Sequence, residues 1–148
     1  MSWNSMLLAT AVASSNPMLL EDAPDVVEIT AADARMIRTV VRDQLSAFRR
    51  DDAARAYGLC SEAIQETFDS AEELMEVVQE RHPELMRPKQ VMFGNYAITP
   101  DGIGQLLEIV DQHGDAHHAL YLVVRDGSGR WKINGCMLVT GTEAALAA

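Results

Sequence analysis

The chain of 148 residues divides into two parts that have different hydrophobic periods. From Thr30 to about His82, apolar residues recur every three or four positions, as they do along one face of an α-helix. From Val91 to Val139 they follow the alternation that is typical of β-strands. Helices followed by a run of strands indicate an α+β fold, in which the helices cover one face of an antiparallel sheet.

Composition limits the classes of function that such a chain can have. Apolar residues make up 48% of the sequence, which suits one globular domain with its own core. The formal net charge of −10 argues against nucleic acid and anionic membranes as partners, because both reward clustered Lys and Arg. Cys60 and Cys136 both lie within apolar patterns, so we expect buried free thiols rather than a disulfide framework.

The chain is expected to have three parts: residues 1–29 as an N-terminal arm or linker, residues 30–140 as a single α+β domain, and residues 141–148 as a C-terminal tail. Residues 6–13 are apolar and end in an Ala-x-Ala triplet, as a signal peptide does. Residues 1–5 carry no Lys or Arg, so a cytoplasmic protein is expected, and export is the alternative.

The arm also has an apolar side. Trp3, Met6, Leu7 and Ala11 fall on one face at helical spacing. The arm is therefore able to dock as a short helix, either on its own domain or on a second copy of the chain.

Capping residues mark three helices in the first half of the domain. Thr30 with Asp33 and Ser70 with Glu73 have the spacing of capping boxes, in which side chains satisfy the free amide groups of a first helical turn. Asp52 is placed to cap a helix between them, whose inward residues would include Cys60. We therefore predict three helices, the first two joined as a hairpin.

The third helix is expected to end at His82, because Pro83 follows it. Residues 84–89 then form an irregular connection to the sheet. The turn sequences PDGIG, DQHGD and DGSG are short, so neighbouring strands should pair antiparallel as a meander. The four predicted strands are residues 91–98, 105–110, 117–125 and 131–139.

Both faces of the predicted sheet are apolar. Tyr121 and its alternate neighbours Ala119 and Val123 face one side, while Leu120 and Leu122 face the other. Helices can cover one of these faces, so the second must be buried in another way, most simply against a second copy of the chain. A homodimer through the sheet face is therefore expected.

Three stretches, QLSAFRRDDAARAYGLCSEAI, RPKQVMFGNY and RDGSGRWKINGCMLV, resemble the nuclear-transport-factor-2-like (cystatin-like cone) superfamily. Within it the chain is most similar to a bacterial family of uncharacterised domains, over roughly residues 32–139. The resemblance implies three helices over a strongly curved sheet, with a cavity between the helices and its concave face. The superfamily includes ketosteroid isomerases, SnoaL-like polyketide cyclases, dehydratases and non-catalytic binding domains, so the resemblance implies a fold and no catalytic residue.

Five side chains are candidates to line such a cavity. Two of them also have a plain structural interpretation, Tyr57 as a core aromatic residue and Cys136 as a small buried one. The candidates are Tyr57, Glu108, His118, Asn134 and Cys136.

No metal or cofactor is predicted. His113, His117 and His118 are close in sequence, but adjacent strand residues point to opposite faces, so His117 and His118 cannot reach one ion. The chain also has no Gly-rich phosphate loop and no serine nucleophile elbow. Asp111, Asp115 and Asp126 lie in or beside turns, where water should keep the pKa of a carboxyl group ordinary.

Two classes of function follow. The first is a non-catalytic cone domain that binds a small, largely apolar ligand or serves as a homodimeric interaction module. The alternative is a proton-transfer enzyme of the isomerase, cyclase or dehydratase type, which acts on a small organic substrate with Tyr57 or a histidine as its acid or base. Arg87 and Lys89, beside prolines, fit a solvated surface, with an anion contact at the rim of the cone as the alternative.

Overall fold

The computed structural model describes residues 29–100 and 102–139. Within these residues five helices precede four strands, so the α+β order is confirmed. The predictions for the arm and the tail lie outside the described residues. The helices are α1 (Ala31–Arg49), α2 (Ala53–Gly58), α3 (Glu62–Thr67), α4 (Ala71–Arg81) and α5 (Pro83–Met86). The strands are β1 (Gln90–Thr99), β2 (Gly102–Val110), β3 (Ala116–Arg125) and β4 (Trp131–Val139).

The three predicted helix starts are confirmed. At the start of α1, the Asp33 amide donates to Thr30 Oγ1 at 3.0 Å and the Thr30 amide donates to Asp33 Oδ2 at 3.3 Å. Asp52 caps α2, and Ser70 accepts from the Glu73 amide at 3.1 Å in the first turn of α4. Each cap is made within four residues of the chain, so the local sequence alone specifies it.

Two short helices were not predicted. Cys60, expected within the second helix, instead follows α2 and forms a bridge to Ile133 at the edge of β4. Ser61 then caps α3 by accepting from the Ile64 amide at 3.3 Å. The expected irregular connection after His82 begins as α5, because Pro83 has the backbone angle that suits the first position of a helix.

The sheet is a four-stranded antiparallel meander in the order β1-β2-β3-β4, as predicted. The pairing of β1 with β2 shifts register between Phe93 and Tyr96, and the pairing of β3 with β4 shifts between Leu122 and Val123. Irregularities of this kind bend a strand and increase its local twist. Because of the second shift, Ile133 and Cys136 both contribute to the core on the helix-covered face.

The main core lies between the helices and one sheet face. Ile37 of α1, Leu74 of α4, Leu107 of β2 and Tyr121 of β3 are among its fully buried side chains. In the described part of the chain, no helix is both long and apolar enough to cross a membrane.

A second, smaller apolar cluster lies on the opposite face of the sheet, which we call the second face. Its members are only 3–6% exposed. They are Leu106, Leu120, Leu122 and Met137, with Ala97 and Val139 packed against them.

Candidate functional site

A groove of about 390 Å³ lies between the outer side of α1 and the segment that leads into β1. Its volume is within the range that is typical of small-molecule sites. It combines charged, hydroxyl and apolar side chains. The lining residues are Arg42, Asp43, Leu45, Ser46, Arg49, Pro88 and Val91.

Helical geometry explains why these residues lie together. Arg42, Leu45, Ser46 and Arg49 are spaced by three, four and seven positions, which places them along one stripe of α1. The other wall comes from the chain between α5 and β1, where the Lys89 amide donates to Val110 O at 2.7 Å. The helix supplies the polar groups and the connection closes the groove from the opposite side.

Two guanidinium groups in this groove are held by the protein itself. Arg42 lies over the ring of Phe93, 5.2 Å from its centroid. Arg49 donates from Nη2 to Pro88 O at 3.1 Å. A guanidinium has five N–H donors, so each retains donors for a ligand. Both cations are therefore positioned in advance.

The one carboxylate that lines the groove is paired from outside it. Asp43 Oδ2 lies 3.3 Å from Nη2 of Arg55, a residue of α2 that does not line the groove. The apolar contacts are supplied by Leu45, Pro88 and Val91. The groove therefore combines two positioned cations with an apolar wall.

A cluster of neutral polar groups lies in the main core. Gln44 donates from Nε2 to Cys60 Sγ at 3.3 Å and to Ala56 O at 3.2 Å. Burial raises the pKa of the Cys60 thiol to about 11. Burial, and then the charge of Glu84, raises the pKa of the Cys136 thiol well above its usual range. Both thiols are free and stay protonated at neutral pH.

Tyr121 lies beside these thiols. Its hydroxyl is buried and has no nitrogen or oxygen partner among the described residues. Burial, and then the neighbouring Cys136 and Cys60, raise its pKa well above the ordinary value. A thiol is a weak hydrogen-bonding group, so this hydroxyl contributes little polar bonding to the core.

A buried contact between a histidine and a glutamate joins the end of α4 to α5. His82 Nδ1 lies 3.4 Å from Glu84 Oε2, and both side chains are almost fully buried. Burial alone would raise the pKa of Glu84, but contact with His82 and the charges of His82 and His117 hold it below the ordinary value. A carboxylate with a lowered pKa is a weak general base at neutral pH. The pair therefore suits a structural role better than proton transfer.

Among the aspartates expected to have ordinary pKa values, Asp111 and Asp126 have lowered ones. Asp111 Oδ2 lies 2.8 Å from His117 Nε2, and its Oδ1 accepts from the His113 and Asp115 amides. The bond to His117, and then these turn contacts, lower the pKa of Asp111 to about 2. Contacts with Ser128 and the turn backbone likewise lower the pKa of Asp126. The prediction was wrong because it considered only solvation by water and omitted the hydrogen bonds that these carboxylates accept within the turns.

The structure divides the five candidate cavity residues among different places. Cys136 lies on the helix-covered face, beside Tyr121 in the core. Glu108 and His118 are neighbours on β2 and β3, with Oε2 and Nε2 3.4 Å apart. They alternate with the residues of the main core and so lie on the second face.

The other two candidates have local partners. Tyr57 is half-buried against the main core and donates its hydroxyl to Gln65 O at 2.9 Å. Asn134 Oδ1 accepts from Ser61 Oγ at 2.6 Å, which ties β4 to the start of α3. Both side chains thus help to join neighbouring elements.

Metal-ligand geometry does not occur in the part of the chain that the structure describes. There, no group of three or more His, Cys, Asp or Glu side chains could hold an ion. His117 contacts Asp111, whereas His118 contacts Glu108.

The sequence patterns predicted neither the groove nor the contact between His82 and Glu84. The arginines were assigned to a solvated face of the first helix, and only their shared spacing with Leu45 and Ser46 hints at a common stripe. Arg49 and Pro88 meet across 39 positions of the chain, and this contact depends on the tertiary fold.

Comparison with known proteins identifies a family. A family model described as "Domain of unknown function (DUF4864)" matches residues 30–146. No curated protein and no solved structure matches the chain.

Proposed function

The chain belongs to the family described as a domain of unknown function (DUF4864), and from that premise we propose that it binds a small organic anion. The observation that carries this proposal is the pair of positioned guanidinium groups, Arg42 and Arg49, at the groove on α1. The proposed ligand has a carboxylate or similar anionic group at one end and an apolar body at the other.

Charge supports an anionic ligand. The chain as a whole carries a formal net charge of −10, yet this groove has two arginines, and its one acidic residue is paired with Arg55. Lys89 follows Pro88 of the groove wall and adds one more cation nearby, whereas Arg87 is already paired with Asp51, 3.5 Å away. Guanidinium groups bind carboxylates through paired hydrogen bonds, and such charge-assisted bonds are stronger than neutral ones.

The apolar wall supports a ligand with a hydrocarbon part. Leu45, Pro88 and Val91 offer contact area beside the cations, and Ser46 offers a hydroxyl. A site of this size is too small for a folded partner and suits a molecule of modest size. The function proposed is therefore binding of a small ligand, at the rim where the helices meet β1.

We propose in addition that the domain is a cone of the nuclear-transport-factor-2-like type. The support is the order of elements, with helices covering one face of an antiparallel meander. The two register shifts, at Phe93/Tyr96 and Leu122/Val123, are the feature that would curve the sheet.

Calorimetric titration with octanoate tests the proposed function. Octanoate has one carboxylate and a short hydrocarbon chain, so it matches both parts of the groove. The wild-type protein should bind it, and Arg49→Gln should weaken the binding by about tenfold or more, because a charge-assisted bond is lost.

Arg38→Gln is the matched control. It removes the same charge from the same helix, at a position outside the groove lining. The control should bind as the wild type does. The proposal fails if the wild type does not bind octanoate, or if Arg38→Gln and Arg49→Gln weaken binding equally, since the latter result would indicate a general charge effect.

The alternative function, proton transfer on a small organic substrate, draws on the buried His82 and Glu84. The lowered pKa of Glu84 makes it a weaker base, which supports binding over catalysis. The discriminating experiment follows deuterium exchange at the α-carbon of a small ketone in D₂O. Exchange that Glu84→Gln abolishes would support the enzyme, and no exchange above the buffer rate would support the binding domain.

A further inference from the structure

The second face of the sheet has two zones that differ sharply in exposure. Leu106, Leu120, Leu122 and Met137, which we call the buried zone, are 3–6% exposed. Met92, Glu108 and His118, which we call the open corner, lie on the same face but are far more accessible. Met92 is 46% exposed, and the side chains of Glu108 and His118 are each 34% exposed. Side chains of the second face are therefore covered in the buried zone and accessible at the open corner.

Strand side chains alone do not explain the difference. Leu120 packs on Gly104, since a Cβ added to this glycine would lie only 2.8 Å from Leu120 Cδ1. Side chains therefore project little from this part of the face. A leucine that lies flat on a sheet still presents its outer side to water. In the described part of the chain, every residue of this cluster comes from a strand, and no helix contributes to it. The cover must come from another segment.

The start of the domain lies at the end of the sheet that carries the buried zone. Asp33, in the first turn of α1, pairs with Arg125 at the end of β3. Arg125 is three residues beyond Leu122 and lies on the helix-covered face, so the chain that precedes α1 starts at this end of the sheet and reaches the buried zone by passing around that end. The opposite terminus leaves from the other end, because Val139 pairs with His118 of the open corner.

We propose that residues 1–28 cover the buried zone of their own chain. This segment has a stripe of large apolar side chains at helical spacing, including Trp3, Met6 and Leu7. Strands β2 to β4 span only about 10 Å at ordinary strand spacing, and a helix rises about 1.5 Å per residue, so a short part of the segment is long enough. The burial already occurs within one chain, which favours this segment over a second copy.

Tryptophan fluorescence of the full chain tests the proposal. The chain has two tryptophans, so Trp131→Phe leaves Trp3 as the single reporter. Trp3 should emit at the short wavelength of a buried indole and should be quenched by acrylamide several-fold less than in the urea-unfolded chain. Because the contact is within one chain, neither property should change with protein concentration.

Leu122→Ser, added to Trp131→Phe, should shift the Trp3 emission to longer wavelength and increase its quenching. Ile98→Ser is the matched control, since Ile98 is a large apolar residue of β1 that is already 50% exposed. Leu7→Ser, which alters the segment and leaves the sheet intact, should act as Leu122→Ser does. An exposed Trp3 in the parent would overturn the proposal. Protection of Trp3 that appears only together with a dimer would overturn it in favour of a second copy.

Discussion

Arg125, the last residue of β3, donates a hydrogen bond from Nη2 to Oδ1 of Asp33 at 2.5 Å, in the first turn of α1. The two residues are 92 positions apart in the chain. The guanidinium of Arg125 also lies 5.0 Å from the centroid of the Trp131 ring. This contact places the start of the helical half at one end of the sheet, on the face that the helices cover.

Arg125→Gln should destabilise the domain. The variant loses the contact with Trp131, which is typically worth about 0.5–1 kcal/mol at an exposed site, as well as the bond to Asp33. Urea unfolding measures the change, with Arg130→Gln in the adjacent turn as the control. Equal stability of the two variants would show that the contact between helix and sheet contributes nothing specific.

The acid limb of the stability profile should depend on Asp111. Its pKa of about 2 in the folded protein lies below the usual value of 3.8, so its contribution to stability is fully present above about pH 4 and is lost as the pH falls towards 2. Asp111→Asn should therefore be less stable at neutral pH and should lose less stability over that interval. Thermal melts at several pH values test this. An unchanged slope in the variant would contradict the role of the His117 contact.

The two thiols should be unreactive in the folded protein. Both are buried, and the pKa of Cys60 is about 11, so almost none of it is thiolate at pH 8. Ellman's reagent should label neither thiol in the native state and both in guanidinium chloride. Rapid labelling of one thiol in the native protein would show an opening that reaches the core.

Tyr121→Phe should leave stability within about 0.5 kcal/mol of the wild type, because the lost hydroxyl has no nitrogen or oxygen partner among the described residues. Urea unfolding monitored by circular dichroism measures it. A loss well above about 1 kcal/mol would contradict this and would indicate that the hydroxyl makes a strong hydrogen bond in the folded protein.

The features that could be predicted from the sequence are those that depend on neighbouring residues. The caps at Thr30 and Ser70 form within a single helical turn, and β4 was predicted at its observed bounds. The helix α3 was missed because its start depends on Cys60 and Ser61 joining the edge of β4, where the Ser61 amide donates to Ile133 O at 2.7 Å. Such a partner, distant in the chain, cannot be read from local spacing.

The candidate site was harder to predict for the same reason. Arg42 is an ordinary surface residue of an amphipathic helix until β1 brings Phe93 beneath it. Glu84 lies in a stretch that looked irregular, and its burial next to His82 depends on the short helix that Pro83 starts. In both cases the fold creates the chemical environment, and the residue type alone does not reveal it.

Binding of a small organic anion in the groove on α1 is tested most directly by a ¹H–¹⁵N correlation spectrum of the full-length protein, recorded during titration with octanoate. The amides that shift should belong to residues 42–49 and 89–93, around Arg42 and Arg49. Shifts centred instead on Tyr121 and Cys136 in the core, or no shifts at all, would contradict it.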